Sequence, residues 1–342
     1  MRPKKVSMNV AVDAMGGDKA PEVVVQGAVE VADAPGIHVT LVGDREAISD
    51  VLCSYPPSDH ITVHHCEDVV GMDESPLKAV RQKNDASIRV AFDLVKKGDA
   101  DAVVSAGNSG ATLAAGILTL GRMEGVDRPA IAGILPGEKG PVILIDVGAN
   151  VDCRPTYLFQ FGVMANAFAS SCLGMENPKI GLLSIGEEGG KGNEQVRLAR
   201  KLLEKSPLNF VGNVEGRDIF SGDVEIIVCD GFVGNVALKL SEGMAKAVTG
   251  MLKMGLTGTL SGRAALLFGR RSFENIRRKL DYEEYGGAPL LGINGVGIIC
   301  HGGSSSRAIK NAIKMAALYV SNHVLEKMTF QFNNFMAKEV SA

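Results

Sequence analysis

The chain contains no tryptophan, and aromatic residues make up only 5% of it. A core built on large rings is therefore excluded, and aliphatic side chains must carry the packing. No apolar run approaches the ~20 residues of a membrane-spanning helix. The basic opening Met1–Lys5 has no apolar stretch after it, so it does not read as a signal peptide. Charge of one sign is also lacking: a net charge of -3 over 342 residues argues against a general nucleic-acid binder. The six cysteines (Cys53, Cys66, Cys153, Cys172, Cys229, Cys300) form no C-x-x-C pair and read as reduced, mostly as small hydrophobes. Cys229, beside Asp230-Gly231, is a candidate nucleophile, with the packing role favoured. No zinc-type cluster stands out, since His64 and His65 are adjacent in a strand and point to opposite faces. These absences leave a cytoplasmic protein, or one at most peripheral to a membrane.

What is abundant is glycine, at 41 residues against a usual share of roughly 7%. With 46% hydrophobic and 22% charged residues, the chain is ordinary for a globular protein. Its length suits one large α/β domain or two lobes. Strand patterns fall at Asn9–Val12, His38–Val42, Ile61–His65, Ala102–Ser105, Ala130–Leu135, Val142–Val147, Lys179–Ser184, Asn209–Val214, Glu225–Val228 and Val296–Cys300. Helical patterns alternate with them at Pro21–Ala32, Glu46–Leu52, Ile88–Lys96, Ser109–Leu120, Pro155–Leu173, Glu194–Leu203, Asn235–Met254 and Ser305–His323. That alternation builds a mainly parallel sheet covered on both faces.

Ligands of such sheets bind beyond the carboxyl ends of the strands, and the glycines gather there. Six turns carry them: Asp13–Asp18, Ser105–Gly110, Asp146–Asn150, Gly186–Gly192, Asp230–Asn235 and His301–Ser306. Each also holds Asp, Asn, Ser or Lys, which points to one polar cleft. The most telling is GLLSIGEEGGKGNE (181–194), an apolar run that empties through glycines onto a helix start. Free N–H groups and a partial positive charge collect there, and Lys191 adds a full one. It falls short of a nucleotide P-loop: Ile185 stands where the first glycine belongs, and Gly192 where Ser or Thr would hold magnesium. The turn suits a phosphate-sized anion without a nucleoside triphosphate.

DAMGGD (13–18), SAGNSGATLAAG (105–116), LIDVGAN (144–150), LLSIGEEGGKGNE (182–194), CDGFVGNVALK (229–239) and GIICHGGSSSRAI (297–309) together resemble the bacterial phosphate acyltransferases of the PlsX family. The resemblance runs from about Asn9 to about Tyr319. It implies a three-layer α/β/α sandwich related to phosphotransacetylases and to isocitrate/isopropylmalate dehydrogenases. It also implies a homodimer that moves a fatty acyl group from acyl carrier protein to inorganic phosphate. The acyl phosphate product would feed the downstream glycerol-3-phosphate acyltransferase of phospholipid synthesis. Neither metal nor cofactor is expected, because a thioester is already activated. Residues 1–7 read as an N-terminal extension, with Met8 an alternative start. Residues 8–325 read as one domain and 326–342 as a C-terminal tail.

For that chemistry the expected catalytic residues are Lys191, as the main charge on phosphate or oxyanion, Asn235 as a donor at a helix start, and His301 for protons. Asn108, Ser109 and the Gly110 N–H form an expected phosphate cradle, with Ser304 and Ser305 as further donors. Asp13, Gly16, Gly17, Asp18, Gly186 and Gly190 are expected to shape loops. Plainer roles stand beside these: a solvated Lys191, an Asn108 that only caps its helix, a turn-forming Asp18, and a structural His301. Residues 251–285 mix Leu252, Met254, Leu266, Leu267 and Phe268 with Arg263, Arg270, Arg271, Arg277 and Arg278. Such a protruding helical segment suits an anionic membrane surface, acidic acyl carrier protein, or a dimer contact with a solvated basic face. Three rival functions remain. Gly107–Ala111 is close to the elbow of a serine-type acyl hydrolase using Ser109, but Ala111 replaces the last glycine. A dinucleotide-dependent dehydrogenase lacks its G-x-G-x-x-G after the first strand. A non-catalytic acyl- or anion-binding protein is the third.

Overall fold

Eleven strands form one sheet in the computed structural model, which describes residues 8–259 and 282–339, with Ser261, Phe268, Gly269 and Arg271 between them. The strands are β1 (Met8–Asp13), β2 (Ile37–Gly43), β3 (Ile61–His65), β4 (Ala102–Ser105), β5 (Ala130–Gly137), β6 (Gly140–Ile145), β7 (Ile180–Leu183), β8 (Phe210–Val214), β9 (Ile226–Val228), β10 (Ala288–Leu291) and β11 (Gly297–Ile299). They lie in the order β3-β2-β1-β4-β11-β10-β5-β6-β9-β7-β8. From β3 to β11 every pair is parallel, and from β6 to β8 every pair is parallel again. Between the two blocks, β11–β10, β10–β5 and β5–β6 are all antiparallel. Three reversals leave the blocks running in opposite senses.

Apolar β-branched runs explain why the sheet is buried on both faces. Along β1, Val10 and Val12 join one core cluster and Ala11 the other; along β6, Ile143 and Ile145 oppose Val142 and Leu144. The period of two thus feeds two hydrophobic layers, and helices close each. On the first side pack α1 (Glu22–Ala32), α6 (Pro155–Cys172) and α9 (Ser306–Ser321); on the second lie α3 (Pro76–Gln82), α4 (Ser87–Lys97) and α5 (Ser109–Leu120). The remaining helices are α2 (Arg45–Leu52), α7 (Glu194–Lys205), α8 (Gly231–Thr257) and α10 (Val324–Glu339). The result is the expected α/β/α sandwich with a mostly parallel sheet.

Polar caps start the helices that matter for the site. Asn108 accepts from the Ala111 N–H at 3.1 Å, Asp230 from Phe232 at 2.9 Å, and Ser305 from Ala308 at 3.3 Å, each satisfying an orphan donor. The stretch read as a C-terminal tail is instead most of α10. Val324, Met328 and Phe332 recur at helical spacing and are buried in the core beside α6. About half of the expected apolar and basic segment at 251–285, including 262–267 and 272–281, lies outside the described residues. Its first seven residues end α8, which runs 27 residues, and the exposed Val233, Val236, Leu240, Met244, Val248, Met251 and Met254 of α8 form an apolar stripe at helical spacing. Among the described residues, no helix is long and apolar enough to cross a membrane.

Candidate active site

A cleft of about 360 Å³ opens where the two blocks of the sheet meet. Its floor is apolar, from Ile131, Gly133 and Ile134 on β5, Ala288 on β10 and Ile299 on β11. Its rim is polar and comes from four turns or helix starts. These are Ser109 opening α5, Val147-Gly148 after β6, Asn235, Lys239 and Glu242 on α8, and His301 and Ser304 between β11 and α9. A greasy trench beside convergent donors suits a ligand with an apolar chain and an anionic or carbonyl head.

The rim is held by the buried Asp146, the half-buried Asp230 and glycines. Asp146, at the end of β6, accepts from the N–H groups of Ile131, Gly148, Ala149 and Asn150, and from the Asn150 side-chain amide. It thereby clamps the 147–150 turn to the start of β5. The helix α8 then docks against that turn at two glycines. A Cβ on Gly231 would lie 2.2 Å from the Asn150 carbonyl oxygen, and one on Gly234 only 1.9 Å from that of Asp146. Asp230, which caps α8, also accepts from the Cys153 N–H at 2.8 Å. Burial works against its charge, yet these N–H donors hold its carboxyl below the usual range.

Asp13 is buried behind the cleft, not in it. Its carboxylate accepts from Ser87 Oγ at 2.6 Å, Ser105 Oγ at 2.7 Å and the Met15 N–H at 3.3 Å. Burial pushes its pKa up, against the pull of those donors. A side chain on Gly16 would strike this carboxylate, and Gly17 takes a positive φ of +110°. The Asp18 N–H donates to the Gly302 carbonyl at 2.8 Å, tying the first turn to the His301–Ser306 turn.

The other expected residues divide. Asn235, His301, Ser304 and Ser109 line the cleft. Asn108 does not: its carboxamide oxygen caps α5, and its NH2 donates to the carbonyls of Met72 and Glu74. Gly110 is packed on Pro76, and Ser305 caps α9 while its hydroxyl donates to Glu283. Lys191, with Gly186 and Gly190, sits in the turn after β7, where its ammonium end is exposed. That turn is separated from β6 by β9, so the six polar turns do not share one cleft. Beyond that turn, Gln195 on α7 donates its amide to the Cys153 carbonyl and to Asp230, which caps α8.

Two cleft residues, Lys239 and Glu242, were not singled out in sequence. They follow Asn235 by four and seven positions, one helix face, and that spacing was the signal available. Lys239 Nζ lies 2.8 Å from His301 Nε2 and 2.9 Å from Glu242 Oε2. Cys300 also lines the cleft, but burial first, then Glu283, pushes its thiol up to about 12. No hydrogen bond among the described residues joins the Ser109 hydroxyl to an imidazole or a carboxylate. Nor does any group of three or more His, Cys, Asp or Glu among them suit a metal ion.

An α/β/α fold with an apolar trench beneath a polar rim defines an enzyme-like site for a ligand with an apolar chain and a polar head. The family model described as "Fatty acid synthesis protein" matches residues 8–327. The phosphate acyltransferase of Geotalea daltonii is 54% identical over 334 residues, covering 96% of each chain. That of Geobacter sulfurreducens is 53% identical over 334 residues, again covering 96% of each. The chain belongs to this phosphate acyltransferase family. Among solved structures, the EutD phosphotransacetylase of Staphylococcus aureus superposes with a TM-score of 0.62 at 17% identity, over 93% of this chain and 96% of that one. A 4-hydroxythreonine-4-phosphate dehydrogenase from Klebsiella pneumoniae gives 0.53 at 14% identity, over 94% and 99%. Both share the fold.

Proposed function

We propose that this enzyme transfers a fatty acyl group from the thioester of acyl carrier protein to inorganic phosphate, by direct attack and without an acyl-enzyme. The observation that carries it is the cleft's composition: an apolar floor for the chain, donors at the rim and, among the described residues, no activated nucleophile beside them. A phosphate oxygen attacks the thioester carbon, and the C–S bond breaks with its electrons on sulfur. The proton of hydrogen phosphate ends on the thiol. A thiol of pKa ~8.5 leaves without a strong acid, so the protein's task is positioning and charge. Near-attack placement supplies several kcal/mol, and a donor aimed at the oxyanion about 3 kcal/mol.

In this reading Asn235 donates to the oxyanion, Ser109 and Ser304 hold phosphate, and Lys191 adds positive charge from the turn after β7, two strands away. The enzyme works in the cytoplasm as a homodimer joined through the apolar stripe of α8. Its acyl phosphate serves phospholipid synthesis, and the basic segment after α8 meets the carrier protein or an anionic membrane. The test is acyl phosphate formation, trapped as hydroxamate, from acyl carrier protein thioester with phosphate varied. Product that saturates with phosphate and vanishes without it is expected. Thioester loss at the same rate without phosphate would mean a hydrolase.

A further inference from the structure

The cleft holds an ion pair and an imidazole whose contacts ask for more acceptors than the ring supplies. Lys239 Nζ addresses His301 Nε2 at 2.8 Å, and the Gly303 N–H addresses His301 Nδ1 at 3.3 Å. A neutral imidazole has one acceptor nitrogen, and its other nitrogen carries a proton. Two donors therefore compete for one lone pair. Glu242 Oε2 lies 2.9 Å from Lys239 Nζ and 3.7 Å from His301 Nε2, with its side chain only 10% exposed. The ammonium and the ring stand on the open side, 49% and 41% exposed.

An acceptor-only anion seated against both Lys239 Nζ and His301 Nε2, with the ammonium turned from the ring toward it, removes the conflict. Nδ1 then accepts from Gly303, Nε2–H donates to the anion, and Lys239 donates to the anion while Glu242 keeps it aimed. We infer that Lys239, with His301 as co-donor and Glu242 as positioning residue, is the cleft's binding site for inorganic phosphate. The inference rests on the acyl-transfer reading for its ligand. It differs from that reading in assigning the phosphate charge to α8 rather than to the turn after β7.

Direct binding separates the two. Inorganic phosphate is titrated calorimetrically into wild type, Lys239→Met and Lys239→Arg without acyl donor, and turnover of acyl carrier protein thioester is then measured on the same proteins. Lys239 is half exposed on α8, and an unchanged thermal midpoint checks that the variants fold. Loss of a charge-assisted hydrogen bond predicts about tenfold to hundredfold weaker phosphate binding in Lys239→Met, an equal rise in the phosphate KM, and a thioester KM within about twofold of wild type. Lys239→Arg recovers most of the loss. Unaltered phosphate binding in Lys239→Met, or equal losses in both KM values, overturns the inference. Phosphate binding that depends on Lys239 in a protein unable to turn over the thioester supports it, and sinks the functional reading instead.

Discussion

Replacing Gly234 by alanine should damage catalysis as well as stability. The added Cβ would lie 1.9 Å from the Asp146 carbonyl oxygen and 2.8 Å from Cys229 Sγ, whereas real contacts do not fall under 3.0 Å. The obstacle is backbone, and Asp146 is itself pinned by four backbone N–H groups and the Asn150 amide. The helix α8 must therefore retreat by about 1 Å, carrying Asn235, Lys239 and Glu242 with it. Overpacking of this kind costs about 1–3 kcal/mol of stability, read from urea unfolding. A displacement of about 1 Å at reacting groups costs roughly a hundredfold, read as kcat/KM for phosphate-dependent transfer. Gly243→Ala on the same helix is the control, because nothing lies within 4 Å of its Cβ. It should gain up to about 1 kcal/mol of helix stability and keep its activity. A Gly234→Ala enzyme with near-normal kcat/KM would refute the claim that this contact sets the cleft geometry.

Three further outcomes follow from the same structure. Phe332→Ala should cost about 3–5 kcal/mol in urea unfolding, because the ring is 1% exposed; a loss of only a few tenths would mean that α10 does not belong to the core. Asp13 is held above the usual carboxylate range by burial, so the folded protein keeps a proton that the unfolded chain releases near pH ~4. Stability then falls as pH rises from there through the raised value and levels above it. Asp13→Asn should flatten that slope in unfolding midpoints across the mildly acidic range, and an unchanged slope would assign it elsewhere. Ser109→Ala should lower turnover by about tenfold at most, and complete loss would restore the serine-hydrolase reading.

Much of this was legible in the residues. Ser109–Leu120 has the bounds its pattern suggested, since a strong cap and a closing Gly121 fix both ends. Apolar runs separated by glycine turns identified most strands. The short β10 was hidden, because Pro289 reads as a break, yet the strand pairs on both sides in the middle of the sheet. Strand order was not legible at all, and it decides which turns meet. The turn holding Lys191 looked central because its chemistry is the most explicit, but β9 stands between β7 and β6. Lys239 and Glu242 were visible only as ordinary charges on a helix. Their importance depends on which face of α8 Gly231 and Gly234 press toward the sheet, and that is a packing fact.

The central claim is direct attack of phosphate on the thioester, and a single turnover tests it. Enzyme in excess is mixed with carrier protein bearing a labelled acyl chain, with and without phosphate, and the fate of label and thiol is followed. With phosphate, label should pass to acyl phosphate as the thiol appears, in equal amounts. Without phosphate, neither free thiol nor labelled enzyme should form. Label retained on the protein, or thiol released without phosphate, would contradict the account.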